Sequence, residues 1–265
     1  MVSEVLKMLD LRNKLYVATF QNNAIEVAKE YGIGIEFNHT CISEWLDEDY
    51  RPKLLAEMKK DFDDVGYKDA IMHGPFTEII PAGIDHRARE TGRSRLEDAY
   101  KVCKELGVKS MVVHNGWIPF MYFKEWQAEK GAEFWEAFME DKPKDFTIHI
   151  ENVLEDEPYM MRDMMQNIKD PRIKICLDVG HANATTPIDI PVETWIEVLG
   201  PYIGHFHLHN NDGTGDSHGD FDQGSMDMNS IFDSIEKHCN RDITFTIEAR
   251  ECANCAEWLK EKGYI

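Results

Sequence analysis

Residues 147–178 read TIHIENVLEDEPYMMRDMMQNIKDPRIKICLD. The stretch begins with a short isoleucine-rich run at 147–151 and ends with another at 173–178, and both are typical of buried β-strands in length and composition. Between them, residues 159–168 form an amphipathic, methionine-rich stretch that predicts a helix. The order strand, helix, strand predicts two parallel strands joined by a right-handed crossover.

The same unit recurs along the whole chain. We expect eight strands, at 16–20, 34–37, 70–73, 110–114, 147–151, 173–178, 204–208 and 243–248. Amphipathic stretches between and after them predict helices at 24–30, 94–106, 134–139, 159–168, 194–199, 231–238 and 256–262. This alternation predicts an α/β fold, a closed (β/α)₈ TIM barrel, with an open doubly wound sheet as the alternative.

Length and composition agree with one barrel. The 265 residues suit a single domain over 1–265, and a hydrophobic fraction of 43% allows a large core. The net charge of −20 repels phosphate backbones, so a nucleic-acid partner is not expected. No run approaches the roughly 20 apolar residues of a membrane span. Because residues 1–14 are charged throughout and lack the apolar segment of a signal peptide, we expect a cytoplasmic protein.

The six cysteines do not resemble a disulfide framework, because they are scattered through a long chain. Cys103 and Cys176 lie in apolar runs and are expected in the core. Cys252 and Cys255 have CxxC spacing, but one such pair cannot complete a four-ligand zinc site. We predict that they occupy the first turn of a terminal helix.

Imidazole and carboxylate side chains stand at the ends of the predicted strands three to eight. The active sites of (β/α)₈ barrels lie at this edge, on the loops that follow the strands. The nine candidates are His73, His114, Glu151, Asp178, His181, His207, Asp216, His218 and Glu248. Each alone has a structural explanation, such as capping the next helix. Together they would bring several carboxylates close to one another, which is costly unless the carboxylates take up protons or bind a cation.

The ligand types narrow the choice of cation. Imidazole mixed with carboxylate, without thiolate, favours Zn, Mn, Co or Fe(II) over Ca or Mg. His149 and His205 lie two residues before strand-end candidates and are expected one layer deeper in the barrel, where they could only orient a ligand. His209 is likewise a weaker candidate.

The ordered series of motifs resembles the xylose isomerase-like barrel superfamily, which includes sugar and sugar-phosphate isomerases and epimerases and also endonuclease IV. The motifs are HGPF at 73–76, VVH at 112–114, IEN at 150–152, LDVGHA at 177–182, HLHNND at 207–212, DSH at 216–218 and the final Glu248. No single motif is specific; the order of all of them carries the resemblance, which covers nearly the whole chain.

Two members of the superfamily imply different sites. The ketose 3-epimerase layout implies one divalent metal held by Glu151, Asp178, His207 and Glu248, with the two glutamates also transferring the substrate proton. The endonuclease IV layout implies three zinc ions. Its first ion would be held by His73, His114 and Glu151, its second by Glu151, Asp178, His207 and Glu248, and its third by His181, Asp216 and His218. The resemblance therefore implies one to three divalent ions (Zn, Mn or Co) per chain.

We accordingly expect a metal-dependent isomerase or epimerase of a small sugar or sugar phosphate, in which Glu151 and Glu248 act as acid and base. Phe76 and Trp117 could form the wall against the apolar face of the sugar, or could simply pack in their loops. The expected partner is this small-molecule substrate, and no association with a membrane is expected. A homo-oligomer is compatible with the sequence.

The alternative is an endonuclease IV-like zinc phosphodiesterase, because all nine positions carry a residue that can bind metal. Against a DNA substrate stand the acidic chain, the absence of Lys/Arg-rich loops after the first two predicted strands, and Asn210, where many relatives have Asp. The densest basic stretch, at 86–95, is interpreted as a solvated helix face. A non-enzymatic metal-binding barrel is disfavoured, since a structural site usually needs only four ligands.

Overall fold

The computed structural model describes residues 9–66 and 69–265 and shows eight parallel strands in a closed barrel. The strands are β1 (Leu15–Ala18), β2 (Gly34–Phe37), β3 (Ala70–His73), β4 (Ser110–His114), β5 (Thr147–Glu151), β6 (Ile173–Asp178), β7 (Ile203–Leu208) and β8 (Thr244–Ile247). Each strand pairs with its neighbours in the sequence, and β1 pairs with β8 to close the ring. The predicted (β/α)₈ barrel is confirmed, and the open sheet is excluded.

Helices surround the barrel. The described residues form α1 (Ala24–Tyr31), α2 (Arg51–Val65), α3 (His86–Leu106), α4 (Lys124–Met139), α5 (Tyr159–Asn167), α6 (Val179–Thr185), α7 (Val192–Leu199), α8 (Met228–His238) and α9 (Cys252–Glu261). A short 3₁₀ helix, Ser43–Leu46, precedes α2. None of these helices is long and apolar enough to cross a bilayer.

Two helices were not predicted. The α2 helix is strongly charged and buries only three of its side chains, so its apolar pattern is weak. The α6 helix has seven residues and includes Gly180, which disfavours helix. It forms because the side chain of Asp178 accepts a hydrogen bond from the backbone N–H of His181, at 2.6 Å, and caps its first turn.

Two predicted strand ends were wrong. The first strand ends at Ala18 and the last at Ile247, because the ladder between them ends at the Val17–Ile247 pair. Glu248 therefore follows β8 instead of ending it. Its backbone N–H still donates to Leu208 O at 3.0 Å, which holds Glu248 at the rim.

The local predictions about the cysteines are confirmed. Cys103 and Cys176 are buried, and Cys252 and Cys255 lie buried in the first turn of α9. All six cysteines are free. The N-terminal segment on which the expectation of no signal peptide depends lies largely in residues 1–8, outside the described residues.

The larger apolar core lies between strands and helices and includes the fully buried Trp135 of α4. Inside the barrel, a small apolar cluster contains Tyr16, Ile71, Val112 and Cys176. Barrel interiors are usually filled by branched apolar side chains. Here four buried polar side chains share the interior with this apolar cluster: Glu36, His149, His205 and Thr246.

We expect the outer core to dominate stability. Trp135→Ala removes a fully buried indole, which should lower the free energy of unfolding by roughly 3–5 kcal/mol, because a cavity remains. Trp45→Ala, at a half-exposed site, is the matched control and should change it by less than about 0.5 kcal/mol. Urea denaturation followed by circular dichroism measures both, and equal effects would contradict the assignment of the core.

Candidate metal centre

The C-terminal ends of β3 to β8 bring all nine predicted candidates to one mouth of the barrel. Four are strand-terminal residues: His73, His114, Glu151 and Asp178. His207 is the second-last residue of β7, Glu248 follows β8, and His181 lies in the first turn of α6. Asp216 and His218 lie in the loop between β7 and α8. The side chains gather in three clusters.

The first cluster centres on one oxygen of Glu151, a side chain that is 1% exposed. Its Oε2 atom lies 3.3 Å from His73 Nε2 and 3.3 Å from His114 Nε2. Among the described residues, this buried oxygen has no hydrogen-bond partner of acceptable geometry. Two imidazole nitrogens and a carboxylate oxygen therefore converge on one small volume.

The second cluster centres on one nitrogen of His207. Its Nδ1 atom lies 3.1 Å from Glu151 Oε1, 3.4 Å from Glu248 Oε1 and 3.7 Å from Asp178 Oδ2. Since Glu151 contributes its other oxygen to the first cluster, this carboxylate bridges the two.

The third cluster is the most open. The side chain of Asp216 is 40% exposed, and its Oδ2 atom lies 3.3 Å from His181 Nε2 and 3.0 Å from His218 Nε2. His181 also approaches the second cluster, with Nδ1 3.3 Å from Glu151 Oε1. The imidazole of His181 thus links the two clusters.

Backbone carbonyls fix the ring nitrogens of three of these histidines. A carbonyl oxygen can only accept, so the nitrogen that faces it must carry a proton. The three bonds run from His73 Nδ1 to Gly74 O (3.0 Å), from His181 Nδ1 to Asn152 O (2.9 Å) and from His218 Nδ1 to Glu248 O (2.9 Å). In each ring, Nε2 is left facing a carboxylate.

His207 is fixed the other way round. Its Nε2 atom lies 3.1 Å from Glu36 Oε1, deep in the barrel, and donates to that carboxylate. Nδ1 is then the nitrogen that faces Glu151, Asp178 and Glu248. These four histidines thus turn lone-pair nitrogens towards carboxylates, which is repulsive unless a proton or a cation lies between them.

The pKa values of these histidines in the metal-free protein reflect their contacts with the carboxylates. Burial lowers the pKa of His181 and His207, but the surrounding acidic groups outweigh burial and raise it well above the usual range. Burial opposes protonation of His218 too, yet the bond to Asp216 raises its pKa to about 9. For His114, burial dominates and the pKa is lowered. In the metal-free protein, protons on these imidazoles thus relieve the repulsion between lone pairs and carboxylates. A divalent cation could do the same, and the set of imidazole and carboxylate donors fits such an ion.

The carboxylates of the site differ in the direction in which their pKa values are shifted. Burial raises the pKa of each, but the facing imidazoles outweigh it for Glu151, whose pKa is well below the usual range, and for Asp178, whose pKa is about 2. For Glu248, burial and the neighbouring Glu151 prevail over His207, so its pKa is raised. Two glutamates that border the same imidazole thus prefer different protonation states.

Asp178 makes structural contacts and also faces the second cluster. Its Oδ1 atom caps α6 and accepts from His209 Nε2 at 3.1 Å, while Oδ2 faces His207. His209 stacks on His218 with ring centroids 4.1 Å apart. Gly180 is required beneath it, because a Cβ there would lie 1.9 Å from the His209 ring. His209, a weaker candidate from sequence, thus orients Asp178.

Sequence reasoning missed Glu36 entirely and gave Asn152 no separate role. Glu36 is a single carboxylate in the four-residue strand GIEF, with no motif around it. The usable signal was a charged residue inside a strand that is otherwise apolar and buried. Asn152 exchanges two hydrogen bonds of 2.9 Å with the backbone of Asp178, and it ties the ends of β5 and β6 together.

The two predicted wall residues occupy different environments. Phe76 stacks on His114, with centroids 4.4 Å apart and an interplanar angle of 9°. Trp117 is buried at 6% exposure in the apolar core, and its Nε1 atom donates to Tyr122 O at 2.9 Å. Phe76 thus borders the candidate site, whereas Trp117 anchors the loop that follows β4.

Several solved structures share this fold. TTHB071 protein from Thermus thermophilus, in a structure soaked with ZnCl₂, has a TM-score of 0.72 at 20% identity, covering 94% of this chain and 99% of that one. A D-tagatose 3-epimerase-like protein has a TM-score of 0.71 at 19% identity, covering 94% and 96%. AP endonuclease, family 2 from Brucella melitensis has a TM-score of 0.70 at 13% identity, covering 94% and 98%.

Related sequences identify the family of the chain. The chain is 27% identical over 222 residues to the uncharacterized protein MJ1311 of Methanocaldococcus jannaschii, covering 79% of this chain and 73% of that protein. The sequence profile described as xylose isomerase-like TIM barrel matches residues 25–262, which include seven of the eight strands and all nine candidates. The resemblance noted in the sequence is confirmed, and the chain belongs to the xylose isomerase-like TIM barrel family.

Proposed function

We propose that this protein is a metal-dependent enzyme that isomerises or epimerises a ketose or ketose phosphate by moving a proton. The observation that carries the proposal is the second cluster: His207 Nδ1 faces Glu151, Asp178 and Glu248 within 3.7 Å, and its other nitrogen is tied to Glu36. Epimerase-like proteins of the same fold support it.

These four side chains, Glu151, Asp178, His207 and Glu248, would hold one divalent cation. Mixed imidazole and carboxylate donors suit Zn, Mn or Co. When bound, such an ion supplies a Lewis acid that polarises a substrate carbonyl.

The two glutamates supply the proton chemistry. Glu151 and Glu248 come from β5 and from the end of β8, so they approach the mouth from different sides of the barrel. One carboxylate takes a proton from the substrate carbon, and the other returns one. Both are at most 4% exposed, so water competes little for them. Phe76 would lie against the apolar face of the sugar.

Charge supports a small substrate over nucleic acid. Every ion pair that the nine candidates make within the described ranges is with another histidine or carboxylate, and the chain carries −20. In the basic stretch, Arg89 donates to the carbonyl of Ile84 and Arg93 to that of Ala137, so these cations serve the fold.

The second candidate is hydrolysis of a phosphate ester, as in an endonuclease IV-like phosphodiesterase. The first and third clusters favour it, because each adds two imidazoles around a carboxylate oxygen, at Glu151 and at Asp216. Several ions would suit the attacking and leaving oxygens of phosphoryl transfer.

Glu248→Gln should lower kcat by about 10²–10⁴-fold under either candidate while leaving the fold intact, because it removes a proton-transfer group in the first case and a charged metal ligand in the second. The test is a screen of ketoses and their phosphates with Zn, Mn or Co. Glu251→Gln makes the same chemical change at an exposed position and should leave turnover unchanged. Retained activity in Glu248→Gln would count against the whole site.

Metal analysis separates the two candidates. About one equivalent per chain supports the isomerase, and two to three support the hydrolase. Asp216→Asn should leave the count unchanged in the first case and lower it in the second, because Asp216 centres the third cluster. Binding of abasic duplex DNA at moderate salt is expected to be absent, and its detection by fluorescence anisotropy would favour the hydrolase.

Zinc binding at pH 7 should release protons. The metal-free pKa values of His181, His207 and His218 are raised, so these rings are protonated at pH 7, whereas ligation needs a free lone pair. At the third cluster, which fills only in the multi-ion arrangement, apparent affinity should strengthen as the pH rises towards about 9, where His218 loses its proton unaided. Calorimetry in Pipes and in Hepes, which differ in ionisation enthalpy, counts the protons; equal heats in both would contradict the prediction.

A further inference from the structure

Glu36 is a fully buried carboxylate in the middle of the barrel. It is the third residue of β2, and its two oxygens have different partners. Oε1 accepts from His207 Nε2 at 3.1 Å, on the side of the candidate metal centre. Oε2 accepts from the hydroxyl of Thr246 at 2.5 Å and lies 3.3 Å from His205 Nε2.

A carboxylate at this place is costly. Burial of an ionised group in a barrel interior opposes folding, and in the described parts of the chain no Lys or Arg pairs with Glu36. A leucine would fill similar space without that cost. What a leucine cannot do is accept the N–H of His207, so the hydrogen bond is the property that distinguishes the two side chains.

The hydrogen bonds below Glu36 form an ordered series. The Thr244 hydroxyl lies 2.7 Å from His205 Nδ1, and His205 Nε2 lies 3.0 Å from Thr246 Oγ1. Thr246 in turn donates its hydroxyl hydrogen to Glu36. Because Thr246 and His205 both lie against Oε2, this oxygen is held by residues of β7 and β8, and Oε1 remains for His207.

We propose that Glu36 is a positioning residue that holds His207 in the Nε2–H tautomer and so presents its Nδ1 lone pair to a divalent cation. Thr246 and His205 hold the carboxylate in place. The inference rests on the proposed metal centre and adds to it a residue outside the ligand set. A carboxylate that accepts the second N–H of a ligating histidine fixes the orientation of the ring and makes it a stronger ligand.

Zinc affinity, measured by competition with a chromogenic chelator, tests the proposal without any turnover assay. Glu36→Leu should weaken zinc binding by about 10–100-fold, because the acceptor is lost. Glu36→Gln should stay within a few-fold of wild type, because its amide oxygen still accepts. Glu30→Gln, at an exposed site of α1, removes the same charge and should change nothing.

Three outcomes would overturn the inference about Glu36 alone. They are a folded Glu36→Leu protein that binds zinc within twofold of wild type, equal losses in the Gln and Leu variants, and a loss in the Glu30→Gln control. Failure of the wild type to bind zinc would instead overturn the metal centre itself, and the inference with it.

A second measurement covers the case in which Glu36→Leu does not fold. In ¹⁵N-labelled, zinc-loaded wild type, with the signal assigned through His207→Gln, the proton of His207 should reside on Nε2. A proton on Nδ1 would overturn the proposal. Thr246→Val, which keeps Glu36 but removes its hydroxyl donor, should weaken zinc binding less than Glu36→Leu; an effect as large as that expected for Glu36→Leu would also contradict it.

Discussion

The hydrogen bond from His207 Nε2 to Glu36 fixes which nitrogen of this ring meets the carboxylates above it. Because Nε2 donates downwards, Nδ1 lies among three acidic side chains that would otherwise repel one another and the lone pair. Backbone carbonyls act on His73, His181 and His218 in the same way. At the mouth of the barrel, lone-pair nitrogens and carboxylates that repel one another are therefore held close together. The remaining contacts of the site keep these groups in position.

Burying these polar groups is energetically unfavourable. The fold compensates by keeping an apolar layer separate from the polar interior of the barrel. Between strands and helices lies an apolar layer with large side chains such as Trp135, where burial stabilises the barrel. Along the barrel axis, polar groups such as Glu36 and His205 replace part of the usual apolar filling. Polar interiors stabilise poorly. The outer layer therefore supplies the stability, and the inner layer is free to position Glu36 and the candidate site residues above it.

Sequence reasoning found the barrel and the nine candidates because both depend on local signals. A β-rich run followed by an apolar helix face identifies each unit, and the strand end tells where His73 or Glu151 must lie. Glu36 escaped it because its role depends on a partner about 170 residues away. The α6 helix was missed for a different, local reason: its seven residues include Gly180 and have weak helix propensity, and the side-chain cap from Asp178 forms it. Whatever depends on contacts across the barrel could not be derived from neighbours in the chain.

The bridging position of Glu151 explains how one scaffold can suit two chemistries. Its Oε1 atom belongs to the cluster around His207, and its Oε2 atom to the cluster with His73 and His114. If only the His207 cluster holds an ion, Oε2 stays available for proton transfer. If the neighbouring cluster also held one, both oxygens would be engaged and Glu151 could not act as the base, so the site would favour hydrolysis, the second candidate. Under the proposed function, the number of ions that the site holds, and not the fold, would therefore decide between proton transfer and hydrolysis.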